Sequence, residues 1–246
     1  MKDLLRSGRL IFCLGLIGLS VLCFIDKDFI VGRPPAGLVG TTGAYITGGL
    51  LLLACLGILF RVKPGICGLL IAVLLLALSV IPHLFRYLDD WPNTYKSMAL
   101  FGGALIVSHS FLNGNKHYPP TLGKVFIVVG SLTLAAFFIA SGYAHFKFHA
   151  FVADFIPSYL PFHEFWAYFC GVCLIAGGVG LLISRINKWA ALLCGIMVAG
   201  WFLLLHIPRF LNNVTDISDR MGLFESFTFV GIFFVLYSIL NRAKAS

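Results

Sequence analysis

Apolar residues in this chain fall in long uninterrupted runs, and polar residues gather in the short stretches between them. Eight runs stand out: 10–25, 41–60, 65–82, 97–112, 125–144, 165–184, 189–207 and 223–240. A hydrocarbon core asks for roughly 20 apolar residues per helical crossing, with about 17 to 25 tolerated. Each run is therefore read as a bilayer-crossing helix, the short first and fourth lengthening through flanking residues that reach the interface. Gly, Pro, Asn, Asp and the charges occupy the connections, where such residues end helices. No connection has room for a soluble domain. The expected fold class is all-α: a polytopic membrane protein of eight transmembrane helices.

The lysines and arginines orient the chain. Lys2, Arg6, Arg9, Arg61, Lys63, Lys116, Lys124, Arg185, Lys188, Arg242 and Lys244 fall on one side. Lys27, Arg33, Arg86, Lys96, Lys147, Arg209 and Arg220 fall on the other. The first set is the larger and marks the cytoplasm, because basic residues are retained on that side. Both termini are then cytoplasmic, and the membrane expected is the cytoplasmic (inner) one.

The second four runs echo the first four. Gly8-Arg9 and Gly15 match Gly123-Lys124 and Gly130, and Asp28-Phe29-Ile30 matches Asp154-Phe155-Ile156. Gly57 precedes Arg61 and Lys63 as Gly180 precedes Arg185 and Lys188, and Ile81-Pro82 matches Ile207-Pro208. Four spans per half is an even number, so the halves share one orientation and are expected to be parallel repeats. Residues 1–116 and 117–246 are thus read as two tandem four-helix bundles. Gly48, Gly49, Gly102, Gly103, Gly177 and Gly178 are expected to let their helices approach closely.

Composition agrees with this picture. Of 246 residues, 59% are hydrophobic and 11% charged, against about 25% charged in an average soluble domain. The net charge of +8 is scattered between the runs and forms no basic patch, which argues against nucleic acid as a partner. All seven cysteines lie inside apolar runs, so no disulfide framework is expected. The basic N-terminus followed by Leu10–Ile25 has the outline of a secretory signal, but no small-residue cleavage site follows. It is read as a retained first helix.

Candidate chemistry is sparse. His145 and His149 are four residues apart, which on a helix places both rings on one face. They could contact a ligand headgroup and move protons, with His163, Glu164 and Asp154 nearby on the outer side. The alternative is a solvated helix end, with His145 bonded to nearby backbone. A metal is not expected. Cys170 and Cys173 form a CxxC inside the sixth run, either a dithiol within reach of a membrane quinone or two ordinary buried thiols. Arg86, Asp89, Asp90, Trp91 and Lys96 cluster in one outer loop, and Arg209, Asp216, Asp219, Arg220 and Glu225 in its counterpart. These are interfacial loops or the rim of an outer vestibule. Lys96 and Glu225 stand at the starts of the fourth and eighth runs and could pair across the halves. No P-loop, haem-binding CxxCH, HExxH or nucleophile elbow is present.

The stretch Phe138–Ser184 carries FIASGYAHF, then FVADFIPSYLP, then a glycine-rich helix ending GGVGLL, followed by the basic turn Arg185–Lys188. In that order it resembles the DoxX-like membrane family, and the first half resembles it more loosely through FIVGRPPAG and GGLLLLACLGILF. The resemblance implies a four-helix membrane unit, here duplicated, whose relatives include quinone-linked thiosulfate oxidation and thiol-redox systems. The chain departs from the family's Gly-x-x-Glu pattern: Leu174 follows Gly171 and Ile46 follows Gly43 at that spacing.

The function expected is the membrane subunit of a redox system, binding a quinone or lipid between the halves on the outer side. His145, His149, His163, Glu164, Arg86, Lys96 and Glu225 would contact ligand, and an extracytoplasmic partner would supply electrons. The alternative classes are a non-enzymatic membrane scaffold or assembly factor and, with less support, a small-solute transporter, whose midplane ionisable groups this chain scarcely offers.

Overall fold

The computed structural model describes residues 2–86, 90–112 and 118–243. Asp89, Lys116, Lys244 and the boundary expected between residues 116 and 117 lie outside the described residues. The described chain forms helices α1 (Lys2–Asp26), α2 (Gly40–Leu59), α3 (Pro64–Leu84), α4 (Trp91–Leu112) and α5 (Pro120–Lys147). A short α6 (His149–Phe155) follows, then α7 (His163–Leu182), α8 (Asn187–Asn212) and α9 (Ile217–Ala243). Among the described residues there is no strand.

Seven of these helices, all but α4 and α6, are long and apolar enough to cross a membrane. This makes the chain a multi-pass helical membrane protein. The fourth run was expected to span as well. Its helix has 22 residues, length enough, but Asn93, Thr94, Lys96, Ser97, Ser108 and His109 make it less apolar than its neighbours. The reason is position. Most of α4 from Ser97 to His109 is buried in protein, so its surface is chosen by neighbouring helices and not by lipid.

Pairwise contacts run from α1 to α2, α3, α4, α5, α7, α8 and α9 and return to α1, with α4 also touching α9. Glycine sets the closest approaches. A β-carbon on Gly15 would fall 2.7 Å from the Thr228 amide nitrogen, and one on Gly231 would fall 2.4 Å from that of Phe12, so α1 and α9 pack backbone to backbone and antiparallel. The chain therefore begins and ends at the same end of the molecule. Gly102 and Gly130 seat α4 on α5 in the same way, as do Gly142 and Gly171 for α5 on α7. Gly48, Gly102, Gly103, Gly177 and Gly178 fill the packing role expected of them, whereas Gly49 faces open space.

Both α3 and α8 widen to a π turn, at Leu76–Val80 and Phe202–His206, just ahead of Ile81-Pro82 and Ile207-Pro208. Proline lacks an N–H and its ring clashes with the carbonyl four residues back, and a wider turn relieves both. On α8 that carbonyl belongs to Leu204, and the Tyr159 hydroxyl donates to it.

Candidate functional site

One large cavity lies inside the part of the molecule formed by α5, α7, α8 and α9. Its volume is 1170 Å³, above the roughly 300–1,000 Å³ of typical small-molecule sites. Its walls run from Trp166 to Gly180 on α7 and from Trp189 to His206 on α8. At 1.5 Å per residue this is a slot about 20 Å long, the scale of a lipid chain. At the end nearest the termini the wall is apolar, with Ile186, Trp189, Ala190 and Leu193. At the opposite end stand Lys96, His145, His206 and Glu225.

The cavity is open on one side. Trp166 and Phe169 of α7 and Trp189, Leu193, Ile196 and Leu204 of α8 line it and are also exposed, Leu193 to 63%. The contact between α7 and α8 is the sparsest in the circuit of helices. In a bilayer this side faces lipid.

The segment that follows α1 packs inward against α3 and α4. Phe29, Ile30 and Val31, just after α1, are buried. The Ser79 hydroxyl donates to the Val31 carbonyl at 2.6 Å and the Ser97 hydroxyl to the Gly32 carbonyl at 3.0 Å. The similar residues Phe155 and Ile156 only border the cavity.

The polar end is built by four helices. Lys96, near the start of α4, places its Nζ 2.8 Å from Glu225 Oε2 of α9, an ion pair with side chains 17% and 8% exposed. The pairing expected from their positions in the sequence is thus formed. Glu225 Oε1 is buried and has no hydrogen-bond partner among the described residues. His145, in the last turn of α5, bonds through Nδ1 to the Ser141 carbonyl at 2.8 Å. The carbonyl can only accept, so Nδ1 carries the proton and Nε2 of the neutral ring is left as an acceptor. The imidazole lies against Trp201 at a centroid separation of 6.3 Å and 19° between planes.

Other residues singled out from sequence fall elsewhere. His149 and His145 do not lie on one continuous helix, because Phe148 leaves the helical conformation (φ −119°, ψ 37°) and ends α5. His149 opens α6 and stacks on Tyr168 at 5.3 Å. His163 and Glu164 occupy the first turn of α7 and Arg86 follows α3, none of them in the cavity wall. Cys170 and Cys173 do line it, joined by Cys194 of α8, all three as free thiols. Among the described residues no group of three or more His, Cys, Asp or Glu side chains is placed to hold a metal ion. Trp201, His206 and Cys194 were missed as site residues. The Ile-Pro following His206 was the available signal, since it puts His206 on the widened turn and Trp201 directly before it.

A family described as a domain of unknown function (DUF8561) matches residues 134–216. That is about a third of the chain, and it covers the cavity walls supplied by α5, α7 and α8. No curated protein and no solved structure matches.

Proposed function

We propose that this chain is an eight-span, DoxX-like protein of the cytoplasmic membrane that holds one amphipathic lipophilic molecule, a quinone or a lipid, in the cavity of its second half. The observation that carries this reading is the slot itself. It is about as long as a lipid chain, open toward lipid along α7 and α8, apolar through most of its length, and polar at one end. The ligand site originally expected between the halves moves inside the second one, and α4 contributes Lys96. A closed apolar interior would have favoured the scaffold reading.

Several helix contacts support a finer architecture. Two four-helix units, residues 1–116 and 117–246, each lend their last helix to the first helix of the other, α9 to α1 and α4 to α5. Gly15 and Gly130, which match in sequence, serve these two contacts. The paired π turns before Ile-Pro support the same repeat. In this reading the first unit is plugged by its own Phe29–Val31 and the second is open. Arg9, Lys188 and Arg242 gather at the termini end, where Arg9 bonds Ser110 and Lys188 bonds Asn241, and that end is cytoplasmic. The polar end of the cavity then faces the outer leaflet.

A role as the membrane subunit of a thiosulfate- or thiol-linked redox system rests on His145, Cys170 and Cys173 lying on the cavity wall, within reach of a quinone headgroup. Any electron donor would come from the outer side. Native mass spectrometry of the protein, gently extracted with its lipids, tests the ligand. The expected result is one co-purified quinone or lipid, lost in His145→Ala and kept in His149→Ala. An empty protein, or equal loss in both variants, would overturn the reading.

A further inference from the structure

We infer that the cavity selects a headgroup that donates hydrogen bonds, the hydroxyl of a hydroquinone or a lipid alcohol, over one that only accepts them, and that Glu225 Oε1 determines this specificity. The inference deepens the proposed ligand-binding reading and rests on it.

Glu225 presents an unmatched acceptor. Glu225 is 6% exposed and lines the cavity, and its Oε2 is taken by Lys96. Oε1 is buried with no hydrogen-bond partner among the described residues. An ionised carboxylate oxygen can only accept, and leaving one dry and unbonded is among the more unfavourable states in a folded protein. Glu225 is the ninth residue of α9, about 12 Å along the helix from Ile217, and it lines the cavity. The group that satisfies Oε1 must come through the cavity and must bring a hydrogen.

His145 adds a second acceptor of the same kind. Its proton is committed to the Ser141 carbonyl, which turns Nε2 into an acceptor. Donors at this end come from Lys96, one of whose three N–H groups already serves Glu225, and from the single N–H of the His206 ring. A carbonyl headgroup can meet Lys96 but leaves Oε1 as it was. A hydroxyl headgroup can donate to Oε1 or to His145 Nε2 and still accept from Lys96. The Trp201 ring beside His145 gives a flat surface on which an aromatic diol would lie.

The test uses the full-length protein in detergent under anaerobic conditions. Two probes share one decyl tail and differ only in the ring, a 1,4-benzoquinol and its 1,4-benzoquinone, and equilibrium dialysis measures both. The benzoquinol is expected to bind about tenfold tighter, the effect of one hydrogen bond to a charged acceptor. The preference should vanish in Lys96→Gln/Glu225→Gln, which removes the carboxylate without stranding the lysine. A monoacylglycerol run as competitor separates the two sources of hydroxyl: displacement of the benzoquinol admits a lipid alcohol, and failure to displace confines the site to the aromatic diol. Equal binding of the two ring forms, or tighter binding of the benzoquinone, overturns the donor inference while ligand binding stands. Binding of neither probe nor competitor overturns both.

Discussion

Lys96 and Glu225 form a charged pair on two different helices, at the head of a cavity that is otherwise apolar. Removing one member of a buried pair leaves an uncompensated charge, typically worth 3–5 kcal/mol, roughly, whereas replacing both with apolar groups of similar volume is close to neutral. Lys96→Met and Glu225→Met should each lower the unfolding midpoint in detergent, and the double variant should recover most of the loss. Simple additivity of the two losses would show that the pair is not coupled. The pairing was legible because both residues stand at the start of matching apolar runs. The histidine pair was misjudged at the same scale. An i, i+4 spacing implies a shared face only while the helix continues, and nothing in Lys147-Phe148-His149 announces a break, there being neither Gly nor Pro. The cysteines divide by position as well. Cys170 and Cys173 face the cavity, while Cys13 and Cys55 are buried in the core. A small lipophilic maleimide should modify the first two and spare the others, and a bound ligand should slow the reaction. Mass mapping of the labelled peptides reads this out.

Helices here are placed by glycine contacts and by proline-induced turns. Gly130 lets α4 and α5 touch through backbone, since a β-carbon on it would fall 2.7 Å from the Gly102 carbonyl oxygen. Gly130→Val should therefore destabilise the protein by about 1–3 kcal/mol through overpacking, whereas Gly49→Val, facing open space, should leave the thermal midpoint unchanged. Tyr159 is the counterpart of Pro208: the proline leaves the Leu204 carbonyl without its N–H, and the tyrosine hydroxyl donates to it instead. Tyr159→Phe should lower stability by about 1 kcal/mol, the usual worth of one hydrogen bond, measurable as a shift in the denaturation curve. The Ile-Pro repeat was visible in sequence. The π turns were not, because proline announces a disturbance in a helix without saying whether a kink or a wider turn absorbs it.

At the scale of the molecule, the apolar runs mark out the helices with little ambiguity, because a segment facing lipid has no latitude in composition. Legibility fails for α4, whose neighbours are α3, α5 and α9, and for the cavity, which depends on how far α7 and α8 stand apart. No residue count encodes that separation. Nor does the tripeptide Asp-Phe-Ile reveal that it packs inward at Phe29 and Ile30 and merely borders the cavity at Phe155 and Ile156. The side opening also bears on how the protein must be handled. A slot 1170 Å³ in volume with an apolar floor will admit a detergent tail as readily as a lipid tail, and whatever fills the folded form stabilises it by mass action. Detergent is then a competing ligand as well as a solvent, so melting temperature should follow tail length and concentration, and the apparent affinity for any added lipid should fall as detergent rises.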